Sequence, residues 1–236
     1  MKLKSNLKIE IFEFAEGARR AQGLTVIIDV FRAFSVACYA YDAGASKVIA
    51  TGEVQKAFEL KNVYKNVILA GERNEKKIPG FDLGNSPTEI ISTEITGKIL
   101  VHTTTAGTNG LVNAKSAETI LTGSLVNASA VARYIRAVNP DMISLVAMGY
   151  RGEISAEEDL LCAEIIKANL ENRTMNTDKL VRDLKDSSGK RFFLPENRSF
   201  SPPTDFFLCT MINRFDFVLK AVMRSDGNIE LEPIKI

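Results

Sequence analysis

Residues 24–43 read LTVIIDVFRAFSVACYAYDA: a short apolar run, a polar break, and then a longer segment with helical spacing. The run 24–28 has the length and the β-branched content of a buried strand, and apolar residues recur over 33–43 at the spacing of a helix. Asp29 closes the apolar run and Arg32 lies in the break that follows. The stretch therefore predicts a strand–loop–helix unit with two charged residues in its loop.

The same unit recurs along the chain. Further apolar runs suited to strands lie at 47–50, 67–70, 99–101, 119–121 and 142–147, and segments with helical spacing lie at 54–63, 127–138 and 156–170. Ser155 stands where an N-cap would begin the last of these helices. Strands that alternate with helices predict an α/β fold, with a largely parallel or mixed sheet flanked by helices in three layers.

The two ends of the chain have a different character. Residues 1–17 alternate polar and apolar side chains, which predicts a strand rather than a signal peptide. After residue 171 the chain is polar, with a Pro-rich stretch at 195–203, and Asp226-Gly227 lies in the turn of a predicted closing β-hairpin. We predict a single domain over residues 1–236, with a motif-bearing core at 24–170 and an irregular C-terminal extension at 171–236.

The composition excludes several classes of function. The chain has 236 residues, of which 45% are hydrophobic and 25% charged, with a formal net charge of +1. This near-neutral charge gives no positive field that would attract nucleic acid. No apolar run approaches the length of a membrane-spanning helix. The three cysteines are widely spaced and form no CxxC, so we expect neither disulfides nor a structural zinc site. Free cysteines suit a reducing compartment, and we therefore expect a cytoplasmic protein. A homodimer is consistent with the sequence, which does not identify an interface.

Polar residues concentrate in the loops that follow the predicted strands. These loops are VIIDVFRAFS at 26–35, ILAGERNEKKIPGFDLGNSP at 68–87, VHTTTAGTNG at 101–110 and TGSLVNASA at 122–130. In an open parallel sheet such loops gather at the carboxyl edge of the strands, where ligands bind. We therefore expect these segments to form one site.

One side of this expected site suits an anion. Arg32 and Arg73 carry planar, permanently charged groups that match phosphate or sulfonate oxygens. Thr103, Thr104 and Thr105 add hydroxyl groups, and a helix that begins near Gly107 would add its first amides. The alternative is that the threonines cap helices and that the arginines form ordinary ion pairs.

The other side is acidic. Asp29 at a strand end needs a partner or a cation, Glu72 and Asp82 flank a glycine-containing loop, and Glu158-Asp159 lie in the first turn of a predicted helix. Carboxylates beside phosphate-binding groups suggest Mg²⁺. The alternatives are compensation of the helix dipole by Glu158-Asp159 and an ion pair between Asp29 and Arg32.

Several standard phosphate chemistries lack their motifs. The sequence has no GxxxxGK[ST] loop, and Asp29 is not followed by the second acid of an aspartyl-phosphate DxD motif. No cysteine is followed five residues later by an arginine. We interpret His102 as a packing or site-edge residue, and Cys162 as a small apolar residue of a helix rather than a nucleophile.

Five of these stretches together resemble one family, the 2-phosphosulfolactate phosphatases. DVFRAFS resembles its DVLRATT-type element, GERNEKKIPGFDLGNSP its GERNG…GFDLGNSP stretch, and TTTAGTNG its TTTNGT. GSLVNASA is similar to GSFLNA, and SAEEDLLCAE to S-x-E-D-x-x-C-A. The matches follow the family's order over residues 27–164. The sequence departs from the pattern at Phe31, Phe34 and Ser35, and Ala106 replaces an Asn.

The resemblance implies Mg²⁺-dependent hydrolysis of the phosphate ester of a small sulfonated acid to sulfolactate and phosphate, a step toward coenzyme M. The candidate catalytic residues are Asp29, Arg32, Glu72, Arg73, Glu158 and Asp159. The candidate substrate-binding residues are Asn85, Ser86, Thr103, Thr104, Thr105, Gly107, Thr108, Ser124 and Asn127. The candidate metal ligands are Asp29, Glu72 and Asp82, with Glu158 and Asp159 as further possibilities. Water is the expected nucleophile, and a covalent aspartyl, cysteinyl or seryl intermediate stays open.

Two other readings of the sequence stay open. A non-catalytic module that binds a small anionic metabolite needs the same arginines, threonines and glycines, but it has no use for the carboxylates that face them. A phosphatase or lyase for another phosphorylated hydroxy acid differs only in its substrate.

Overall fold

A computed structural model describes Lys4 and residues 7–236 of the chain. The strands, in chain order, are β1 (Lys8–Glu13), β2 (Gly23–Ile28), β3 (Lys47–Ala50), β4 (Val67–Arg73), β5 (Lys76–Lys77), β6 (Ile99–Thr103), β7 (Ala117–Gly123), β8 (Met142–Ala147), β9 (Phe217–Met223) and β10 (Ile229–Lys235). The α-helices are α1 (Phe14–Arg20), α2 (Ala33–Asp42), α3 (Val54–Val63), α4 (Pro87–Ile91), α5 (Gly107–Asn113), α6 (Ala128–Val138), α7 (Glu157–Leu170), α8 (Thr177–Asp186) and α9 (Pro203–Cys209).

These elements confirm the predicted strand–loop–helix units and the α/β class. The predicted strand at the start of the chain is β1, while residues 1–3 and 5–6 lie outside the described residues. The prediction that Ser155 caps α7 is wrong. Ala156 occupies the N-cap position, and no side chain there accepts a hydrogen bond from the first amides of the helix. The acidic residues of the first turn interact instead with the positive end of the helix dipole.

The described strands form one mixed sheet in the order β1-β8-β2-β7-β9-β10-β3-β6-β4-β5. β1, β8, β2 and β7 are parallel to one another, and so are β3, β6 and β4. Three antiparallel pairings, β7 with β9, β9 with β10, and β10 with β3, separate the two groups. The two parallel groups therefore run in opposite senses along the hydrogen-bonded sheet.

This arrangement corrects the expectation of a single carboxyl edge. The loop after β6 reaches the end of β2 because α5 packs across the sheet, against β2 and α1. A Cβ atom at Gly107 would lie 2.9 Å from a carboxylate oxygen of Asp29 and 2.7 Å from the Cβ of Ala33. The absence of a side chain at Gly107 is thus what lets the two loops meet.

Both faces of the sheet are covered by helices, as the three-layer prediction requires. Successive residues of β2 point to opposite faces, so Ile27 belongs to one core and Val26 and Ile28 to another. The first core contains residues of α1, α2 and α5, and the opposite face is covered by α6 and α7 and, beyond the hairpin, by α3. α2 is buried along almost its whole length.

The C-terminal segment contains α8, α9 and short 3-10 turns, and the predicted closing β-hairpin is formed by β9 and β10. Gly227 has φ 80° in the hairpin turn, a conformation that favours glycine. The hairpin is not an appendage, because it lies in the middle of the sheet and joins the two parallel groups. The single-domain organisation stays a prediction.

Candidate active site

A narrow cleft forms where the loops after β2, β6 and β8 meet the end of β4. We call it the acidic cleft; its walls include Asp29, Arg32, Glu72, Asn85, Thr105 and Arg191. Its volume is about 30 Å³. Both parallel groups of strands contribute to it, since Asp29 follows β2 and Glu72 belongs to β4.

Glu72 is held in place by the loop after β6 and by the turn after β4. It is buried, and its Oε1 accepts a hydrogen bond from the Thr105 amide at 2.7 Å. Its Oε2 accepts bonds from the Glu75 amide at 2.8 Å and from the Thr105 hydroxyl at 3.2 Å. Such bonds fix the orientation of the carboxylate in the cleft.

Asp29 is the second buried carboxylate of the acidic cleft. Its Oδ1 accepts a hydrogen bond from the Ala33 amide at 3.0 Å, at the beginning of α2. Burial, opposed by the Ala33 amide and Arg191 and reinforced by the negative charges of Glu72 and Glu158, raises the pKa of Asp29 to about 6. This carboxyl can therefore hold or release a proton near neutral pH.

Two more acids at the beginning of α7 lie behind Asp29. Asp159 accepts hydrogen bonds from the Val30 amide at 2.8 Å and from the Gly149 amide at 2.9 Å, so it joins the loops after β2 and β8. Burial, reinforced by Glu158 and Asp29, raises the pKa of Asp159 well above its usual value. Burial also raises the pKa of Glu158, whose Oε2 has no hydrogen-bond partner in the described structure.

Arg32 is paired with the C-terminal segment rather than with Asp29. Its guanidinium donates to a carboxylate oxygen of Asp205 at 2.7 Å and to the carbonyl of Phe200 at 2.6 Å. Both Arg32 and Asp205 are buried, and Asp205 also accepts bonds from the hydroxyl groups of Ser86 and Thr88. The alternative of an Asp29–Arg32 ion pair is therefore wrong.

Asn85 lines the acidic cleft and is oriented by His102. The Nε2 atom of His102 lies 3.0 Å from Oδ1 of Asn85. Burial lowers the pKa of His102 to about 4, so the ring is neutral at physiological pH, and Nε2 can donate to Asn85. The Asn85 amide nitrogen is then left to donate toward the cleft. This position agrees with the interpretation of His102 as a site-edge residue.

Arg191 supplies a positive charge on the opposite wall of the acidic cleft. Its Nε lies 3.1 Å from Oε1 of Glu75, and one of its terminal nitrogens lies 3.9 Å from Oε1 of Glu158. The guanidinium also lies over the ring of Tyr150, whose hydroxyl donates to Glu75 at 2.9 Å. Arg191 is thus fixed beside the buried carboxylates by a chain of polar contacts.

A second cleft adjoins the first, and we call it the Arg73 cleft. Its walls include Gly52, Lys56, Arg73, Thr104, Thr105 and Asn228, and its volume is about 570 Å³. Thr105 borders both clefts. Glu72 and Arg73 are neighbours on β4 and point to opposite sides, as successive residues of a strand do.

Comparison with known proteins places the chain in a family. Residues 11–221 match the family described as 2-phosphosulpholactate phosphatase. The chain belongs to this family.

Three relatives agree with the match, each described as "Probable 2-phosphosulfolactate phosphatase". The protein of Caldanaerobacter subterraneus subsp. tengcongensis is 38% identical over 209 residues, which cover 83% of this chain and 86% of the relative. The Bacillus subtilis protein is 30% identical over 226 residues, or 94% and 96% of the two chains. The Carboxydothermus hydrogenoformans protein is 31% identical over 245 residues, or 98% and 99%. The resemblance stated from the sequence is confirmed.

In this 2-phosphosulfolactate phosphatase family member, Asp29, Arg32, Glu72, Asn85 and Thr105 are the predicted site residues that line the acidic cleft, and Asp82, Ser124 and Asn127 are among those that do not. Asp82 binds Lys61 through both carboxylate oxygens, at 2.9 and 3.0 Å. Although its partial burial opposes the shift, the Leu69 amide and Lys61 lower the pKa of Asp82. Ser124 and Asn127 are buried in a reciprocal cap before α6, where the Ser124 amide donates to Asn127 at 3.1 Å. Their predicted roles as ligands stay untested.

The threonine loop bonds mainly to the protein itself. Thr104 and Thr108 bond to one another, the Thr108 hydroxyl donating to the Thr104 carbonyl at 2.7 Å. Thr103 accepts from Arg73 at 3.1 Å, and Thr105 donates to Glu72. The capping alternative therefore describes Thr104 and Thr108 well, and Thr105 is the member of this loop that borders the acidic cleft.

The carboxylates of the acidic cleft fit a shared Mg²⁺ ion. Among Lys4 and residues 7–236, no three His, Cys, Asp or Glu side chains stand close enough to hold a metal ion alone. Mg²⁺, however, usually takes one or two carboxylates together with waters and substrate phosphate oxygens. Asp29 and Glu72 supply oxygens of that kind, and Glu158 has an unbonded oxygen. Mg²⁺ dependence stays a prediction.

Sequence reasoning missed Glu75, Tyr150, Arg191 and Asp205. Tyr150 follows β8, so the rule that ligand-binding residues follow parallel strands would have found it. Arg191 and Asp205 come from the polar C-terminal segment, where no periodicity or motif marks them. The described residues also contain no helix that is long and apolar enough to cross a membrane.

Proposed function

We propose that this protein hydrolyses the phosphate ester of 2-phosphosulfolactate, or of a closely related phosphorylated hydroxy acid, to the free hydroxy acid and inorganic phosphate. The observation that supports this most is the acidic cleft, which brings Asp29, Glu72 and Arg191 together within the family match. A module that only binds an anion gains nothing from buried carboxylates on the wall of its site, because they repel the ligand.

The reaction transfers the phosphoryl group to water. The water oxygen forms a bond to phosphorus, the ester P–O bond breaks, and the hydroxy acid oxygen keeps the electron pair and takes up a proton. Asp29 can accept the proton of the water or supply one to the leaving oxygen, because its carboxyl group lies on the wall of the acidic cleft. Mg²⁺ bound by Asp29 and Glu72 would supply positive charge against the phosphoryl oxygens.

Two arginines favour the charge that develops on the phosphoryl group. Arg191 and Arg32 line the acidic cleft; Arg32 donates a hydrogen bond to Asp205, and the Nε of Arg191 lies 3.1 Å from Oε1 of Glu75. Asn85 adds an amide donor oriented by His102. A cysteinyl intermediate is disfavoured, since Cys162 is fully buried and burial raises the pKa of its thiol well above the usual value.

Phosphate release is the direct test. We expect purified protein to release phosphate from 2-phosphosulfolactate with Mg²⁺ and to lose this activity in EDTA. Asp29→Asn should lower kcat/KM by about 10³-fold, as the loss of a general acid–base and ligand group usually does. Asp186→Asn, on the exposed end of α8, is the matched control and should leave the rate unchanged.

The outcomes separate the candidate functions. Release of phosphate from phospholactate as well would keep the phosphatase and broaden its substrate. Tight binding of the esters without any release, with or without metal, would contradict hydrolysis and favour the binding module. Cytoplasmic location, a place in the route to coenzyme M, a homodimer and the absence of a nucleic-acid partner stay predictions.

A further inference from the structure

The Arg73 cleft contains a positive charge that the protein does not neutralise. The Arg73 guanidinium donates to the carbonyls of Glu72 at 2.8 Å and Gly52 at 2.9 Å, and to the Thr103 hydroxyl at 3.1 Å. All three acceptors are neutral, and no carboxylate oxygen of the described residues lies within 4.0 Å of it. Among the other arginines of the site, Arg32 and Arg191 each have a carboxylate within 4 Å, and Arg151, which is exposed to solvent, has none among the described residues.

A half-buried guanidinium without a partner is costly. Burial lowers the pKa of Arg73, with the charge of Glu72 acting in the opposite direction. A guanidinium has five N–H groups, and three bonds leave part of this fork free. Lys56, whose Nζ lies 4.0 Å from a carboxylate oxygen of Glu59, adds a second cation to the same cleft, with Glu53 as an acid on the rim. An oxyanion bound between Arg73 and Lys56 would offset the charge and match the planar fork.

The size of the two clefts indicates where this anion comes from. The acidic cleft is narrow, with a volume of about 30 Å³, whereas the Arg73 cleft offers about 570 Å³ beyond Thr105. 2-Phosphosulfolactate carries a carboxylate and a sulfonate besides its phosphate. A molecule whose phosphate lies at the acidic cleft can therefore place a second acid group in the Arg73 cleft.

We propose that the Arg73 cleft binds the non-reacting oxyanion of the substrate, a sulfonate or a carboxylate, through Arg73 and Lys56. The inference rests on the proposed function and separates two roles that the sequence had merged. Arg191 and Arg32 then act on the phosphoryl group, and Arg73 selects substrates that carry a second acid group.

The test compares three phosphate esters on the middle carbon of a short chain, with two, one and no non-reacting acid groups: 2-phosphosulfolactate, 2-phospholactate and glycerol 2-phosphate. We expect Arg73→Gln to raise KM for 2-phosphosulfolactate by about 30-fold, as the loss of a charge-assisted pair does. The effect on glycerol 2-phosphate should be at least about tenfold smaller, because this ester has no second acid group. Equal losses for all three esters would overturn the proposal.

The esters also identify the bound group. If Arg73→Gln also raises KM strongly for 2-phospholactate, the cleft binds the carboxylate. If KM rises only for 2-phosphosulfolactate, the cleft binds the sulfonate. Sulfate that inhibits wild-type protein without competing with substrate would show a separate anion site and would contradict the proposal.

Two further variants protect the test against a folding defect. Lys56→Gln, on α3 at the rim of the cleft, should also raise KM mainly for the esters that carry a second acid group, by about fivefold. Arg173→Gln removes an exposed arginine paired with Glu171, and is the matched control that should leave all three esters unaffected. Thermal unfolding of each variant checks that it is folded.

Calorimetry separates this inference from the proposed function. Sulfolactate, which has no phosphate, should bind wild-type protein more tightly than Arg73→Gln. If no ester is hydrolysed but this difference is present, the anion site stands and the proposed function fails. If the esters are hydrolysed but Arg73→Gln affects neither selectivity nor sulfolactate binding, the function stands and the anion site fails.

Discussion

The acidic cleft and the Arg73 cleft are separated by little more than Thr105 and two successive residues of β4, yet their charges are arranged differently. In the acidic cleft Arg32 and Arg191 each have a carboxylate within 4 Å, in Asp205 and Glu75, while the exposed Arg151 has no ion pair among the described residues. In the Arg73 cleft the guanidinium bonds only to neutral oxygens. We infer that the paired arginines serve the reaction at phosphorus and that Arg73 is left for a charge of the ligand.

The largest effect expected from this comparison comes from breaking the buried pair behind the acidic cleft. Asp205→Ala leaves the Arg32 charge buried and uncompensated, so we expect a loss of about 3–5 kcal/mol in the free energy of unfolding, measured in urea. Asp42→Ala breaks an exposed pair with Arg214 and should cost less than about 1 kcal/mol. Equal losses for the two variants would show that the Arg32 pair is not a rigid support.

A smaller effect is expected from Arg191→Gln, which removes a paired arginine. We expect kcat/KM to fall by about 10²-fold, and by a similar factor for esters with and without a second acid group, because every ester carries the phosphoryl group. Arg182→Gln, on the exposed face of α8, is the control. If the fall in kcat/KM were larger for esters with a second acid group, Arg191 rather than Arg73 would bind that group.

The smallest effect concerns pH and Asp29. Its pKa is about 6 in the folded protein and near 3.8 in the unfolded chain. Between these two pH values the folded protein keeps a proton that the unfolded chain has lost. Stability from this group is therefore fully present below pH 3.8 and is lost as the pH rises toward 6.

Asp29→Asn should consequently raise the free energy of unfolding at pH 7 by about 1–3 kcal/mol relative to wild type, and by much less at pH 4. Urea unfolding in EDTA at both pH values measures this difference. Asp186→Asn should show no pH-dependent gain. A gain for Asp29→Asn that is equal at the two pH values would contradict a raised pKa.

Much of the fold and part of the site follow from local sequence patterns. The apolar run before Asp29 predicts β2, the periodicity after it predicts α2, and the position of a polar residue at a strand end predicts its place in a site. Asp29, Glu72, Asn85 and Thr105 were found in this way. The same rule selected Asp82 and Ser124, which lie elsewhere, because it identifies the end of a strand but not the neighbour that a side chain meets.

The remaining features depend on contacts between distant segments. The opposite senses of the two parallel groups result from the insertion of β9 and β10 between β7 and β3. β9 and β10 begin about a hundred residues after the end of β7. Arg32 and Asp205 are 173 residues apart in the chain. No periodicity or turn signal can indicate such a pair.

The sequence alone therefore determined the strands and helices, the family and most of the polar residues near the cleft, because these depend on side-chain order within short segments. Only the tertiary structure decided which charges are paired. Coulombic attraction and desolvation depend on distance and burial, and these are set by how the loops after β2, β4, β6 and β8 meet the C-terminal segment. The difference between Arg73 and the two paired arginines has its origin there.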